Sequence, residues 1–266
     1  MRIEGATFVV TGGGNGIGAA VARSVARAGA SAVLVADLDE AAAASVASEL
    51  RDLGADALAR RVDVGIADEV TAMVAAADDA FGRIDVMVSN AGVGTGTGLD
   101  AAPEDWDRSW RINVLAHVHA ARAALPGMLE RGTGAFVHTC SAAGLLTMVG
   151  DAPYSVTKHA AVAFAEWLSV TYGDQGIQVG ALCPQGVETA LLRDDSGSVA
   201  QQVVRGAGVV LTPEQVADEV VEAIADGRFL ILPHPEVADH VRTKATEPER
   251  WLAAMRSIAA RAEGTG

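Results

Sequence analysis

Short apolar runs alternate with longer stretches of helical spacing from one end of the chain to the other. The runs lie at 6–10, 31–36, 57–62, 84–89, 135–140, 177–183 and 229–232. They are apolar at consecutive positions rather than at every second one, the pattern of strands buried on both faces. Between the first two runs, Ile17, Val21 and Val25 fall on one helical stripe, and Gly29 stands where a helix would end. The segments 39–53, 67–82, 103–130, 153–172 and 213–226 read as helices, the last three opened by Pro103, Pro153 and Pro213. Strand and helix in strict alternation predict an α/β fold: a doubly wound, seven-stranded parallel sheet with helices on both faces. No change in composition divides the chain, so residues 1–266 are read as one domain. Its irregular stretch at 188–212, which carries Gly197, Gly206 and Gly208, is read as a substrate loop that can act as a mobile lid, and 233–266 as a helical extension.

The glycines of TGGGNGIG, residues 11–18, acquire a meaning from that order. They lie between the first strand and the first helix, where an open parallel sheet binds ligands. Glycine permits a tight turn and a close approach of backbone to a pyrophosphate, and the helix end beyond it offers free N–H groups. Gly12, Gly16 and Gly18 are the framework, with Asn15 and Ile17 between them. No Lys-Ser or Lys-Thr pair follows, which disfavours a nucleoside-triphosphate loop. Asp37 ends the second strand. A carboxylate there can accept both hydroxyls of an adenosine ribose and would repel a 2′-phosphate. The expected cofactor is NAD rather than NADP, on a Rossmann-type domain.

With these residues in view, the chain resembles the short-chain dehydrogenase/reductase family over about residues 5–232. The motifs come in the family's order: TGGGNGIG, Asp63-Val64, SNAG at 89–92, Asn113 in RINV, Ser141 in TCSAAG, YSVTK from Tyr154 to Lys158, and PQGVET at 184–189. The resemblance implies Asn113, Ser141, Tyr154 and Lys158 as the catalytic four. It places Asp63 and Val64 at the adenine, Asn90 and Gly92 beside the cofactor, and Pro184, Val187 and Thr189 near the nicotinamide. It also implies a homotetramer, or a homodimer, built through the helices at 103–130 and 153–173. Two departures stand out: Ser89 precedes NAG, and the family's usual Pro-Gly is Pro184-Gln185, with Gly186 one place late.

The chemistry fits those residue types. Tyr154 and Lys158 are i and i+4 on one helix, so they share a face. A nearby ammonium favours the phenolate and is expected to bring the phenol down from its usual value near 10. Tyr154 would then serve as general base in alcohol oxidation and general acid in carbonyl reduction. Leu145, Leu191 and Leu192, with Gln185, are candidate substrate contacts, and they point to an apolar secondary alcohol or ketone of moderate size. At this point a dinucleotide-binding regulatory protein and an epimerase or dehydratase using NAD transiently stay open as alternatives.

Composition adds exclusions. A formal charge of −14 on 266 residues speaks against nucleic acid. No apolar stretch is long enough for a membrane span. With no N-terminal apolar core and cleavage site, the expected setting is cytoplasmic. Cys140 and Cys183 lie in strand runs and read as buried apolar residues. His117 and His119 are two apart on a helix and share no face, and no residue set has metal spacing, so no metal is expected. Thr246 and Glu249 have capping-box spacing ahead of a stripe of Trp251, Leu252, Met255 and Ile258, which predicts a short amphipathic helix in the extension.

Overall fold

Phe8 and Val10 face one side of the sheet and Val9 the other, and all three are fully buried. That double burial is why the strands read as unbroken apolar runs. The computed structural model describes residues 1–193, 198–206 and 208–264. Its first half runs β1 (Thr7–Thr11), α1 (Gly16–Arg27), β2 (Ala32–Asp37), α2 (Glu40–Asp52), β3 (Asp56–Arg61), α3 (Ala67–Phe81) and β4 (Val86–Ser89). The second half runs α4 (Pro103–Trp110), α5 (Ala116–Arg131), β5 (Gly134–Thr139), α6 (Ala152–Tyr172) and β6 (Ile177–Leu182). After it come α7 (Ala190–Arg193), α8 (Val199–Gly206), α9 (Pro213–Asp226), β7 (Leu230–Ile231), α10 (Glu236–Thr246) and α11 (Pro248–Glu263). The seven strands are all parallel, in the order β3-β2-β1-β4-β5-β6-β7. Helices α1, α2 and α9 cover one face; α3, α5 and α6 cover the other.

Small residues set the layer spacing. Ala19, Ala22 and Ala26 of α1 and Ala217 and Ala223 of α9 are buried in one cluster with Phe8 and Val35. Val21 and Val25 add large apolar area, each worth roughly 1.5–3 kcal/mol on burial. The strand order reverses beside β1: β2 and β3 lie on one side, β4 on the other. The connections that leave β1 and β4 therefore run to opposite faces of the sheet, and the crevice between them is where a ligand enters.

Several expectations need correction. The segment 103–130 is not one α-helix: α4 and α5 are separated by a π-helical turn, Arg111–Leu115. The stretch 188–212 is not wholly irregular, because it contains α7 and α8. The extension is two helices rather than one. Thr246 does not cap: it is the last residue of α10, and its hydroxyl donates to the Arg242 carbonyl at 2.9 Å. Pro248 takes the first position of α11, which leaves Glu247 at the cap. A capping box is formed instead by Thr212 and Gln215, opening α9. No helix among the described residues is long and apolar enough to cross a membrane.

The extension lies against the rest of the molecule near the crevice. Lys244 of α10 donates to the carbonyls of Leu145 at 2.8 Å and Leu146 at 2.9 Å. Its third contact is His159 Nε2 at 3.2 Å, and Trp251 of α11 covers it at 5.3 Å. Helix α11 also packs on α8.

Sequence spacing separated His117 from His119 but gave no sign of the partner His117 has. On α5 it meets His138 of β5, Nδ1 to Nδ1, at 2.9 Å, and both rings are buried. One Nδ1 must donate and the other accept, so the two rings cannot both be charged. Burial holds His138 down to about 3 and His117 well below the ordinary 6.5. The unfolded chain therefore binds more protons than the folded one below about pH 6.5, and stability falls as pH falls toward 3. His138 alone should cost about 2 kcal/mol between pH 7 and pH 5. Denaturant unfolding at the two pH values measures this. The space-filling double variant His117→Leu/His138→Phe should flatten the difference, and an equal loss in that variant would remove the pair as its cause.

Candidate active site and cofactor groove

The glycine turn leaves β1 at Thr11 and enters α1 at Gly16. Gly12 has a φ of 61°, and a Cβ there would lie 2.9 Å from the Ala91 Cα, so only glycine lets the turn close on the β4 end. Asn15 stands at the cap of α1 but makes no side-chain cap bond, and no acidic residue occupies the first turn. The first N–H groups of α1 are thus open, with a positive dipole end facing the crevice. These features fit a dinucleotide pyrophosphate. Asn90 braces the turn from β4: its Nδ2 donates to the Thr11 and Gly12 carbonyls at 3.1 and 3.2 Å, and its Oδ1 accepts from Thr139 of β5 at 3.1 Å.

Asp37 is half-buried at the end of β2. Its Oδ2 accepts from the Gly14 N–H at 2.8 Å and its Oδ1 from the Asp39 N–H at 3.0 Å. Each oxygen keeps a free lone pair for a ribose hydroxyl. At the end of β3, Asp63 is half-buried and Val64 buried; Asp63 Oδ1 accepts from Gly65 N–H at 2.9 Å. Both residues follow β3, the strand beside β2, at the same end of the sheet as Asp37.

The crevice continues into a cavity of about 340 Å³. Gly12, Asn15, Gly16, Ile17, Asn90 and Gly92 line it together with Pro184, Val187 and Thr189, and Thr189 stands beside Gly16. Ser141, Tyr154 and Lys158 line the same cavity and form its floor. Gly18 is buried behind the turn rather than on the cavity surface.

Each floor residue is held by its own element. Ser141 follows β5 with φ of 67°, the single positive-φ residue other than glycine among the described residues. Its backbone N–H is tied to the Leu182 carbonyl at 3.0 Å, which fixes this strained conformation. Its hydroxyl accepts from the Ala143 N–H at 3.2 Å and lies beside the Tyr154 phenol. Lys158, 2% exposed, donates to the Thr139 carbonyl at 2.8 Å, and its Nζ lies 5.6 Å from the Tyr154 ring centre. Asn113 sits in the π turn, fully buried behind the floor. It accepts from the Val93 N–H at 2.9 Å, donates to the Val93 carbonyl at 2.8 Å, and donates to Thr157 at 3.1 Å. The π turn supplies the local widening that aims Asn113 inward.

The expected depression of Tyr154 is corrected by its surroundings. Burial pushes the phenol up to about 12, with the Ser141 hydroxyl opposing and the Asp151 charge adding. Lys158 is itself drawn down to about 8 by burial. The phenol of the protein alone stays protonated across the neutral range, which suits a proton donor.

The substrate candidates divide. Gln185 and Leu192 line the cavity; Met148 joins them from the loop after Ser141. Leu145 does not line it and packs against the core beneath α6. The Leu191 side chain and Gly197 lie outside the described residues. Gln185 is half-buried, and its N–H donates to His234 Nδ1 at 3.1 Å, while His234 Nε2 bonds the Val209 carbonyl at 3.1 Å. Gly186 is the position that has no room: a Cβ there would lie 3.0 Å from Val204 of α8. The late glycine of PQG thus serves the packing of α8. Among the described residues no group of three or more His, Cys, Asp or Glu is placed to hold a metal.

The sequence reading missed three supports of this site: Thr11, Thr157 and Asp151. Thr157 stands within YSVTK, and Asp151 precedes Ala-Pro as a helix cap would. Those were the available signals.

Comparison with known proteins gives the same picture. The family model for short chain dehydrogenase matches residues 6–198. The chain is 35% identical to 2-(S)-hydroxypropyl-CoM dehydrogenase 3 of Xanthobacter autotrophicus, over 85% of this chain and 91% of that one. It is 36% identical to 1-deoxy-11-beta-hydroxypentalenate dehydrogenase of Streptomyces exfoliatus, over 91% and 88%. A short-chain dehydrogenase/reductase from Burkholderia phymatum, solved in complex with NAD, superposes with a TM-score of 0.86 at 32% identity, covering 94% of this chain and 96% of that one. The chain belongs to the short-chain dehydrogenase/reductase family and is an oxidoreductase.

Proposed function

We propose that the protein transfers a hydride between NAD(H) and a secondary alcohol or ketone, with Tyr154 moving the proton. The observation that carries this reading is the floor of the cavity. A phenol, a serine hydroxyl and a buried ammonium meet there, at the end of a groove that leads from an open helix N-terminus. Bound NAD supplies the hydride acceptor, and its oxidised ring brings a positive charge that favours a phenolate beside it. Ser141 hydrogen-bonds the substrate oxygen. Tyr154 gives that oxygen a proton in reduction and takes it back in oxidation. Lys158 supplies positive charge beneath Tyr154 and is held in place by Thr139. Asn113 fixes the loop at Val93 that walls the cavity.

The glycine turn and the first turn of α1 would hold the pyrophosphate, Asp37 the adenosine ribose, and Asp63 and Val64 the adenine. Val187 and Thr189 would meet the nicotinamide amide. Met148, Leu192 and Val204 favour an apolar substrate body of moderate size. Trp110 of α4 and Val156, Trp167 and Val170 of α6 are exposed apolar residues. They support a homotetramer or homodimer through these helices, which light scattering measures.

A panel of secondary alcohols, hydroxysteroids and diols, followed by NADH absorbance, tests the activity. The cofactor reading is tested in the same assay. Catalytic efficiency with NAD should exceed that with NADP about 100-fold, since the 2′-phosphate would meet the Asp37 carboxylate. Asp37→Ala should narrow the ratio below about 10-fold by the same electrostatic argument. A wild-type preference for NADP would refute the role given to Asp37.

A further inference from the structure

We infer that Asp151 is a positioning residue for the reaction: one buried carboxylate joins the start of the catalytic helix to the 93–98 wall of the cavity. This rests on the reading of Tyr154 as the acid/base, although the contacts stand independently of it. Asp151 is 4% exposed and caps α6. Its Oδ1 accepts from the Tyr154 N–H at 2.9 Å and the Thr95 hydroxyl at 2.9 Å. Its Oδ2 accepts from the Thr95 and Gly96 N–H groups, both at 2.8 Å. Four donors fill the acceptor capacity of the carboxylate. A fifth bond beside them, Ala152 N–H to the Thr97 carbonyl at 3.0 Å, continues the junction.

The wall is thereby pinned at both ends, by Asn113 at Val93 and by Asp151 at Thr95 and Gly96. Thr95 and Gly96 line the cavity, so the same carboxylate sets the distance between that wall and the phenol three residues along α6. No amide can replace it. In either orientation an asparagine turns an N–H₂ toward a backbone N–H that now has an acceptor, and a buried donor is left unpaired.

The carboxylate also acts on Tyr154 electrostatically, favouring the protonated phenol. Lys158 from the same helix, with Cys140 and Cys183 from the ends of β5 and β6, are the other ionisable groups facing that ring. Of the described residues lining the cavity, only Asp151, Tyr154 and Lys158 carry ionisable side chains. Removing the charge should lower the pH at which Tyr154 ionises; a residue that only braced the fold would leave it in place.

The chain has two tyrosines, Tyr154 and Tyr172, so a Tyr172→Phe background leaves one phenol to titrate. In that background the ultraviolet tyrosinate band reports Tyr154 directly, without any assay of turnover. Asp151→Asn should lower its midpoint by about half a unit or more. In the otherwise native chain the same substitution should raise KM for the alcohol about tenfold, with a smaller change in kcat, because the wall is loosened. Asp151→Ser keeps a cap for the Tyr154 N–H and so preserves the helix start, but it lacks the charge and the second oxygen. It should show both effects, and it serves where Asp151→Asn does not fold. An unmoved midpoint or an unchanged KM in the folded variant overturns the proposal. Failure of the underlying reading shows itself separately, as activity retained in Tyr154→Phe.

Discussion

Tyr154→Phe should lower kcat/KM by about a thousandfold, near 4 kcal/mol of barrier, while NADH binds as tightly as in the native protein. The substitution removes one oxygen and keeps the ring against Lys158. The hydride donor and the substrate pocket are untouched, so what is lost is the proton transfer. The environment of the phenol also predicts how the rate varies with pH. Burial and Asp151 push Tyr154 up to about 12, so carbonyl reduction, which needs the protonated phenol, should be level from pH 6 to pH 8. Alcohol oxidation needs the phenolate and should rise with pH across the same range, helped by the positive ring of NAD. Lys158, drawn down to about 8, has lost half its charge at that value, so the rise should flatten there. Fluorescence titration with NADH, together with pH profiles in both directions, checks each part. Full activity in Tyr154→Phe would remove the phenol from the mechanism.

Much of this was legible in the sequence because the relevant physics is local. A parallel strand covered on both faces must be apolar at every position, and a strand-turn-helix rich in glycine announces itself within eight residues. β3, with the sequence DALARR at the edge of the sheet, is only half-covered and correspondingly faint. What stayed hidden depends on groups far apart in the chain. The four bonds of Asp151 include two residues 55 and 56 positions away, and no periodicity encodes them. His117 and His138 meet across 21 residues from different elements. The π turn that carries Asn113 shifts the hydrogen-bond ladder without changing the apolar spacing, so 103–130 reads as one helix. The sign for Tyr154 was missed for a related reason. Spacing on a helix places the ammonium near the phenol, but only the packed fold shows that burial outweighs it.

Thr246 and Glu249 show the limit of a motif taken alone. The same spacing recurs at Thr212 and Gln215 and caps there, because the chain at Thr212 is extended and Pro213 begins a new helix. At Thr246 the preceding residues are already helical, so its hydroxyl turns back to the Arg242 carbonyl instead.

Gly18→Ala should abolish cofactor binding and strip several kcal/mol from the stability of the fold. Gly18 is not in a left-handed conformation; its constraint is space. A Cβ would penetrate the van der Waals envelope of the Gly12 carbonyl oxygen, 2.8 Å from the carbonyl carbon and 2.5 Å from Asn90 Nδ2. Those two groups are hydrogen-bonded to each other at 3.2 Å, so neither can retreat without breaking the brace between the turn and β4. The displaced part must be the turn or the first turn of α1, which together would hold the pyrophosphate. Gly54, by contrast, ends α2 with nothing within 4 Å of its Cβ direction. Gly54→Ala should cost only the strain of its φ of 92°, about 1–2 kcal/mol, and leave NADH affinity unchanged. Thermal unfolding and NADH titration of the two variants separate a steric conflict inside the cofactor turn from the general cost of replacing a glycine. Equal affinities for NADH would mean that the turn can open to admit the methyl group, and the close contact of Gly18 with Gly12 would then not be what shapes the pyrophosphate site.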